Sequence, residues 1–138
     1  MKVREMSNLQ TLYRLSHLEG ELQNVFEYRF DGDSSFVTRI DFVLRGVTAI
    51  FLANGDFDTL EVNFDEFASD EDCTKFDASR SSRWSDLIGK GFFWMWELTN
   101  SQGYVDGVRI EFGSIESSKT IELVVYASAL KVFEVSEK

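Results

Sequence analysis

The first regular pattern of hydrophobic residues along the chain has the spacing of a helix. Leucines recur every three or four residues, which places them on one side of a helix. Ser7 and Gln10 form a capping-box pattern at its start, and Gly20 can end it. The pattern predicts an amphipathic helix over roughly residues 8–19. It would pack on the rest of the fold through Leu9, Leu12, Leu15, Leu18 and Leu22.

Beyond this segment the hydrophobic period changes to two, which is typical of β-strands. Phe26, Tyr28 and Phe30 alternate with other side chains, and a second alternating run follows the turn residues at 31–35. The run 47–52 is apolar on both sides, which favours an interior position in a sheet. We therefore predict consecutive strands joined by short turns in this half of the chain.

The alternation fails between residues 65 and 85, where acidic residues and serines accumulate. We interpret this segment as a long loop with one short helix near 82–88. Further strands are predicted after it, and their short connections favour an antiparallel meander. The expected fold class is α+β, mainly β. It consists of one curled antiparallel sheet of about seven or eight strands, with the N-terminal helix and the short second helix.

Length and charge limit the functions that the chain can have. A length of 138 residues is in the range of one domain, so we predict a single domain over residues 1–138. The 24 acidic and 14 basic residues give a net charge of -10, which repels phosphates; we expect neither a nucleic-acid nor a membrane partner. The sequence has one cysteine and shows neither a secretory nor a membrane-spanning segment. We therefore predict a cytoplasmic protein.

Residues that commonly carry catalysis are few in this sequence. His17 is the only histidine and lies in the leucine-rich segment, and Cys73 follows an acidic run that disfavours a thiolate. Asp31-Gly32-Asp33 begins like a calcium loop but lacks the later glycine and acid, so a turn is the better interpretation. Nucleotide, nucleophile and zinc motifs are absent. We predict no catalytic residue, no metal site and no cofactor, and an enzyme is disfavoured.

The most distinctive stretch of the sequence is an aromatic strand that runs into a polar turn. Strand alternation divides it between two faces, and both faces carry large apolar groups. One interpretation is a core hairpin whose polar atoms are satisfied locally; the other is a binding surface. Alternation puts Phe92, Trp94, Trp96 and Leu98 on one face, and Phe93, Met95 and Glu97 on the other. The candidate binding residues are Trp94, Trp96, Glu97, Asn100, Tyr104 and Asp106.

Two segments carry a resemblance to a known family. They are Asn-Gly-Asp-Phe-Asp-Thr-Leu-Glu at 54–61 and Trp-Glu-Leu-Thr-Asn-Ser-Gln-Gly-Tyr-Val-Asp-Gly at 96–107. Together they resemble a family of small uncharacterised bacterial acidic proteins, and the resemblance covers most of the chain. In size, acidity and layout the chain is also similar to immunity proteins of bacterial toxin systems. That similarity implies a protein partner and supplies no catalytic residue.

The favoured function is a non-catalytic protein-interaction module, immunity-like, whose acidic surface meets a basic partner. The absence of proline also leaves a homodimer open, since proline is a usual device for blunting sheet edges. The acidic residues expected at the partner surface are Asp65, Glu66, Asp70 and Asp72.

Two other functions remain open at this point. One is a small-ligand-binding protein whose curled sheet encloses an aromatic pocket near Trp96 and Tyr104. The other is a carboxylate-dependent hydrolase, which requires several acids to converge. Its candidate residues are Asp56, Asp58, Glu61, Glu97 and Asp106.

Overall fold

The computed structural model describes residues 10, 13–15, 17, 20–54, 58–64, 72–113 and 118–135. Within these residues nine strands and one 3₁₀ turn, Ser85–Leu87, follow one another along the chain. The strands are β1 (Leu22–Phe30), β2 (Asp33–Leu44), β3 (Val47–Asn54), β4 (Thr59–Phe64), β5 (Cys73–Asp77), β6 (Phe92–Thr99), β7 (Val105–Gly113), β8 (Ser118–Tyr126) and β9 (Ala129–Val135). The mainly β class predicted from the sequence is confirmed.

The described strands form two antiparallel sheets, so the prediction of one curled sheet is wrong. The first sheet has the order β4-β3-β2-β1-β5, and the second has the order β6-β7-β8-β9. The reason lies in β5, which pairs antiparallel with β1 and occupies the edge of the first sheet. Strand β6 therefore begins a separate sheet, and within each sheet the hairpin-connected strands follow the predicted meander.

Strand β5 lies inside the segment that the sequence predicted to be a loop. Phe26 to Phe30 of β1 pair with Asp77 to Cys73 of β5. Four of the five residues of β5 are exposed, because the strand lies at a sheet edge beyond the core. An edge strand exposed on both sides shows no hydrophobic alternation, so the pattern that identifies half-buried strands does not detect it.

Both predicted helices differ in detail from the structure. Most of the predicted N-terminal helix, including Leu9, Leu12 and Leu18, lies outside the described residues. Residue 10 and residues 13–15 are helical, and Leu15 is fully buried in the core. Leu22 is also buried, but it begins β1 and does not extend the helix. The short helix near 82–88 is a single 3₁₀ turn.

The inner faces of both sheets enclose one hydrophobic core, with Phe42 of β2 at its centre. Its ring lies 5.4 Å from the rings of Phe51 and Trp84. It also lies 5.9 Å from Phe92 of β6 and 5.6 Å from Phe112 of β7. Aromatic pairs at these separations favour tilted or edge-to-face geometry, which all four of these pairs adopt. One side chain of the first sheet therefore contacts two rings of the second.

Trp84 reaches this core from the connection between the sheets and brings a polar group with it. The indole is fully buried, and its Nε1 donates a hydrogen bond of 2.7 Å to Oε2 of Glu27. The other carboxylate oxygen of Glu27 accepts from Arg29, with the guanidinium Nη2 at 2.8 Å. Because an unpaired buried carboxylate would be costly, these two partners allow Glu27 to occupy the inner side of β1.

Residues 89–91 attach the connection to both sheets through the backbone. The amide of Leu22 donates to the carbonyl of Lys90, and the amide of Gly113 donates to the carbonyl of Gly91. A Cβ atom at Gly91 would lie 2.9 Å from the carbonyl oxygen of Gly20, so a side chain there would force the two segments apart. Glycine at position 91 is thus required by a close approach of two backbones.

The turn between β8 and β9 is held in a strained conformation. Ala127 and Ser128 have positive φ values of 52° and 68°, a region that costs most residues energy. The amide of Ser128 donates a hydrogen bond of 2.9 Å to the carboxylate of Asp58, which lies just before β4 and has a φ of 51°. The Asp58 side chain thus links a turn of the first sheet to a turn of the second.

We expect the Glu27–Trp84 hydrogen bond to contribute measurably to folding. Trp84→Phe should lower the free energy of unfolding by about 2–4 kcal/mol, because it removes a bond to a charged acceptor and leaves a small cavity. Glu27→Gln should lower it by a smaller amount. Urea denaturation of both single variants and the double variant should give a coupling free energy of about 1–3 kcal/mol. Strictly additive effects would show that the bond contributes nothing.

Relieving the strained turn should stabilise the protein. Ala127→Gly should raise the free energy of unfolding by roughly 0.5–1 kcal/mol, because glycine adopts positive φ without a steric cost. Ser101→Gly is the matched control, since Ser101 is an exposed turn residue without a positive φ. The control should be neutral or slightly destabilising. A loss of stability in Ala127→Gly, measured by thermal unfolding, would contradict the assignment of strain.

Candidate functional site

The outer face of the second sheet carries a regular grid of side chains, set by the strand register. Trp96 of β6 is opposite Arg109 of β7, which is opposite Glu122 of β8, which is opposite Phe133 of β9. This transverse row has an aromatic residue at each edge strand and two charged residues in the middle. The row beside it comprises Trp94, Glu111, Thr120 and Val135. The opposite neighbouring row comprises Leu98, Gly107, Val124 and Lys131.

The large aromatic side chains of this surface are exposed. Trp94 is 53% exposed, Trp96 is 41% exposed and Phe133 is 53% exposed. We call the outer side of the β6–β9 sheet, defined by these three residues, the aromatic face. Exposed apolar surface of this kind is typical of interaction sites, and tryptophan is among the residues that contribute most to binding energy.

An ion pair occupies the centre of the aromatic face. Nε of Arg109 donates to Oε2 of Glu122 at 2.7 Å, and Nη2 of Arg109 lies 2.5 Å from the same oxygen. Both side chains are partly exposed, so solvent screening keeps the contribution of the pair to stability small. The two charges cancel, and the row between Trp96 and Phe133 has no net charge.

A β-bulge determines which aromatic residues point outward. The register of β6 against β7 shifts between Phe92 and Trp94, so Phe92 turns into the core while Trp94 and Trp96 face solvent. The prediction that Phe92 shares a face with the two tryptophans is therefore wrong. The inserted residue of a bulge breaks the period of two on which that prediction rested.

Gly107 is enclosed by its neighbours at one end of the face. A Cβ atom on this residue would lie 2.7 Å from the carbonyl oxygen of Leu123 and 3.2 Å from Cδ1 of Leu98. The backbone therefore excludes a side chain at position 107.

The polar residues predicted beside the tryptophans have other positions and roles. Glu97 is opposite Val108, on the inner side of the sheet and away from the aromatic face. Asn100 organises the β6–β7 turn, since its Oδ1 accepts from the amides of Gln102 and Tyr104 and its Nδ2 lies 3.4 Å from Asp106. The structure thus brings Trp94 and Trp96 together, and it separates them from Glu97.

The acidic loop predicted to meet a basic partner is described at one residue. Asp65, Glu66 and Asp70 lie outside the described residues. Asp72 is exposed, and its carbonyl accepts a hydrogen bond of 2.8 Å from the amide of Asp31. This bond places the start of β5 beside the β1–β2 turn.

Three of the acids considered for a hydrolase form other contacts. Asp56 lies outside the described residues. Asp58 accepts from the Ser128 amide, Glu61 accepts from Asn54 at 2.7 Å, and Asp106 contacts Asn100. Over the described ranges, no group of three or more His, Cys, Asp or Glu residues is arranged to hold a metal ion.

The calcium-like sequence is a turn in the structure. Oδ1 of Asp33 accepts from the amide of Ser35 at 3.0 Å and from its hydroxyl at 2.6 Å. These bonds, the hydroxyl bond first, lower the pKa of Asp33 below its usual value. Asp31 accepts a hydrogen bond from the Thr74 hydroxyl of β5. Asp33 therefore fixes the backbone of the β1–β2 turn, and Asp31 links that turn to β5.

Tyr104 and Trp96, proposed to line a ligand pocket, are 52% and 41% exposed. An open groove of about 550 Å³ lies elsewhere, beside Phe133 and the 3₁₀ turn. Lys119 in that groove lies 2.7 Å from Glu134 and 3.4 Å from Asp86. The hydrogen bond to Glu134 is the main cause of a raised pKa of Lys119. Its charge is therefore already matched by two carboxylates.

The outer face of the first sheet contrasts with the aromatic face because its polar residues are buried and paired. Arg39 donates to both oxygens of Asp41, at 2.7 and 2.9 Å, and its guanidinium lies over the ring of Tyr28 at 4.2 Å. Burial, followed by the negative charge of Asp41, raises the pKa of Tyr28 above its usual value. The charged groups of this cluster are therefore already bonded to each other.

Four residues of the second sheet's outer surface were missed by the sequence prediction. They are Arg109, Glu111, Glu122 and Phe133. The first three alternate with buried residues on their strands, whereas Phe133 lies between the half-buried Val132 and the exposed Glu134. The alternation was visible in the sequence. The register that aligns them with Trp94 and Trp96 was not, because it depends on the bulge in β6 and on the lengths of the turns.

The fold and the surface together define a two-sheet antiparallel β protein with an exposed aromatic sheet face. The chain belongs to a family of unknown function (DUF6334), whose model matches residues 6–138. The predicted resemblance to a family without a settled activity is thereby confirmed. No curated protein and no solved structure matches the chain. Among the described residues, no helix is long and apolar enough to cross a membrane.

The raised pKa of Tyr28 predicts a specific loss of stability in alkali. The neutral phenol is favoured in the folded state, so its contribution is present below about pH 10 and is lost as the pH rises through the folded pKa. Tyr28→Phe should therefore lose less stability on going from neutral to strongly alkaline pH than the wild type does. Tyr126→Phe, at a highly exposed position, is the control and should follow the wild type. Identical pH profiles for Tyr28→Phe and wild type, measured by urea denaturation, would refute the shift.

Proposed function

We propose that this chain is a non-catalytic protein-interaction module that binds a basic protein partner through the aromatic face. The observation that carries the proposal is the exposure of Trp94, Trp96 and Phe133 on one side of one sheet. The inner sides of both sheets already form a core, so the apolar surface of these residues is surplus to folding. Its burial by a partner would be favourable by about 25 cal/mol per Å² of apolar surface.

The charge of the chain supports a basic partner over a second copy. The net charge of -10 attracts a positively charged protein at long range and repels an identical chain. The centre of the aromatic face is electrically neutral, because Arg109 and Glu122 are paired. In this arrangement the charge of the whole molecule accelerates encounter, while the aromatic residues hold the complex.

An immunity-like role is one form that this function can take. An immunity protein inhibits a toxin by binding it, which requires an accessible face, a complementary charge and no catalytic group. The acidic composition and the exposed tryptophans agree with these requirements. The acidic residues Asp65, Glu66, Asp70 and Asp72 would contribute to the rate of association.

The test begins with affinity capture by the wild type, followed by binding measurements with the purified candidate partner. The variant Trp94→Ser/Trp96→Ser should bind at least 30-fold more weakly, because truncation of central aromatic residues commonly costs about 2 kcal/mol or more. Phe76→Ala on β5 is the matched control, since it removes an exposed aromatic residue from the other sheet. Its affinity should stay within about twofold of the wild type.

Salt dependence and self-association complete this test. Neutralising the four acidic residues should slow association at low salt and have little effect at high salt. A double-tryptophan variant that binds the partner like the wild type would refute the proposed face. If the wild type sediments as a dimer that this variant dissociates, a second copy occupies the face and the basic partner is wrong.

A further inference from the structure

Several aromatic rings of the first sheet are covered by cations of the chain itself. The guanidinium of Arg39 lies 4.2 Å from the centre of the Tyr28 ring, and Nζ of Lys75 lies 4.3 Å from that of Phe26. Arg29 lies 4.8 Å from the ring centre of Phe76. Such contacts are favourable because the negative face of the ring attracts the positive charge.

Among the residues that the structure describes, no cation covers the rings of Trp94 and Trp96. The rings of Trp94 and Trp96 lie 6.5 Å apart at an angle of 60°, and this is their one ring contact in the described part of the chain. The nearest cation along the row is Arg109, which is opposite Trp96 and is bound to Glu122. Two indole rings are therefore open to a cation from outside.

A carboxylate lies next to these rings. Glu111 is directly opposite Trp94 across β6 and β7, and directly opposite residues on one face have Cβ atoms about 4.5–5.5 Å apart. Across residues 20–54, 58–64, 72–113 and 118–135, the side chain of Glu111 takes part in no hydrogen bond or ion pair. Its charge is available to a cation that also contacts the indole of Trp94.

On the first sheet a ring and a carboxylate hold a cation of this kind. There an aromatic ring, Tyr28, and a carboxylate, Asp41, hold the guanidinium of Arg39 between them. On the second sheet Trp94 and Glu111 lie opposite each other, and the one guanidinium on β6 and β7, that of Arg109, is bound to Glu122. The contrast between the two sheets points to a planar cation from outside as the group that would occupy Trp94 and Glu111.

We propose that Trp94, Trp96 and Glu111 bind an arginine side chain of the protein partner. The inference rests on the function proposed above and specifies the group that the aromatic face recognises. Arginine fits better than lysine, because its flat guanidinium can stack on an indole and donate two parallel hydrogen bonds to a carboxylate. A lysine ammonium is a strongly hydrated point charge without this geometry.

The test follows the three indole Nε1–H signals of the protein by NMR during titration with the blocked peptide acetyl-Gly-Arg-Gly-amide. Trp94→Phe and Trp96→Phe assign two signals. Trp84 is an internal reference, because its indole is buried and bonded to Glu27. The signals of Trp94 and Trp96 should shift saturably, with a dissociation constant in the millimolar range, while that of Trp84 stays constant. The same peptide with citrulline, a neutral analogue of arginine, should produce little shift.

Two variants with the same change of charge locate the carboxylate. Glu111→Gln should weaken binding of the arginine peptide about three- to fivefold, as expected for loss of an exposed ion pair. Glu97→Gln is the matched control, since Glu97 is on the same hairpin but on the opposite side of the sheet. Its affinity should equal that of the wild type.

Several outcomes would overturn the assignment. They are equal shifts with the citrulline peptide, equal binding by a lysine peptide, and equal weakening in Glu111→Gln and Glu97→Gln. The two proposals fail separately. If the arginine peptide does not bind but the double-tryptophan variant still loses the protein partner, the guanidinium assignment is wrong and the interaction face is retained. If the peptide binds and partner affinity is independent of the tryptophans, the proposed function is wrong.

Discussion

The structure depends on the packing of Phe42 between two sheets that share no backbone ladder over the described ranges. Its ring contacts aromatic residues of its own sheet, of the connection and of both β6 and β7. Because the described sheets are not joined strand to strand, side-chain packing and the backbone bonds of residues 89–91 hold them together. Trp84 completes this packing, and it can do so because Glu27 accepts its indole hydrogen.

A filled core determines where recognition can take place. The inner faces of both sheets are committed to packing, so the proposed partner would have to bind outside. On the first sheet the outer side is occupied by the buried pairs of Tyr28, Arg39 and Asp41. On the second sheet the same side carries exposed tryptophans and the carboxylate of Glu111, which has no ion-pair partner among the described residues. The contrast between the two outer faces favours the second sheet as the binding surface more strongly than composition alone does.

The sequence predicts individual strands and hairpins well, because these follow from local patterns. The turn at Asn100 to Gly103 and the alternation of β7 and β8 illustrate this, as does the placement of Trp96 and Glu97 on opposite faces. Three features depend on contacts between distant residues and were not predictable in the same way. Strand β5 is exposed and gives no alternation, the bulge after Phe92 shifts the register, and the division into two sheets follows from the pairing of β5 with β1. Part of the acidic segment, including Asp65, Glu66 and Asp70, lies outside the described residues, so its role stays a prediction.

The transverse row from Trp96 to Phe133 also bears on how such a protein can change over evolutionary time. Side chains of this row point away from the core and contribute nothing to its aromatic centre. Substitutions along it can therefore alter affinity and selectivity with little penalty in folding, whereas the inward-facing neighbours on the same strands cannot vary so freely. Positions that face the core and positions that face solvent alternate along each of these strands. Selection for folding and selection for binding therefore act on different residues of the same strand. Such a scaffold can acquire new binding specificity one exposed position at a time.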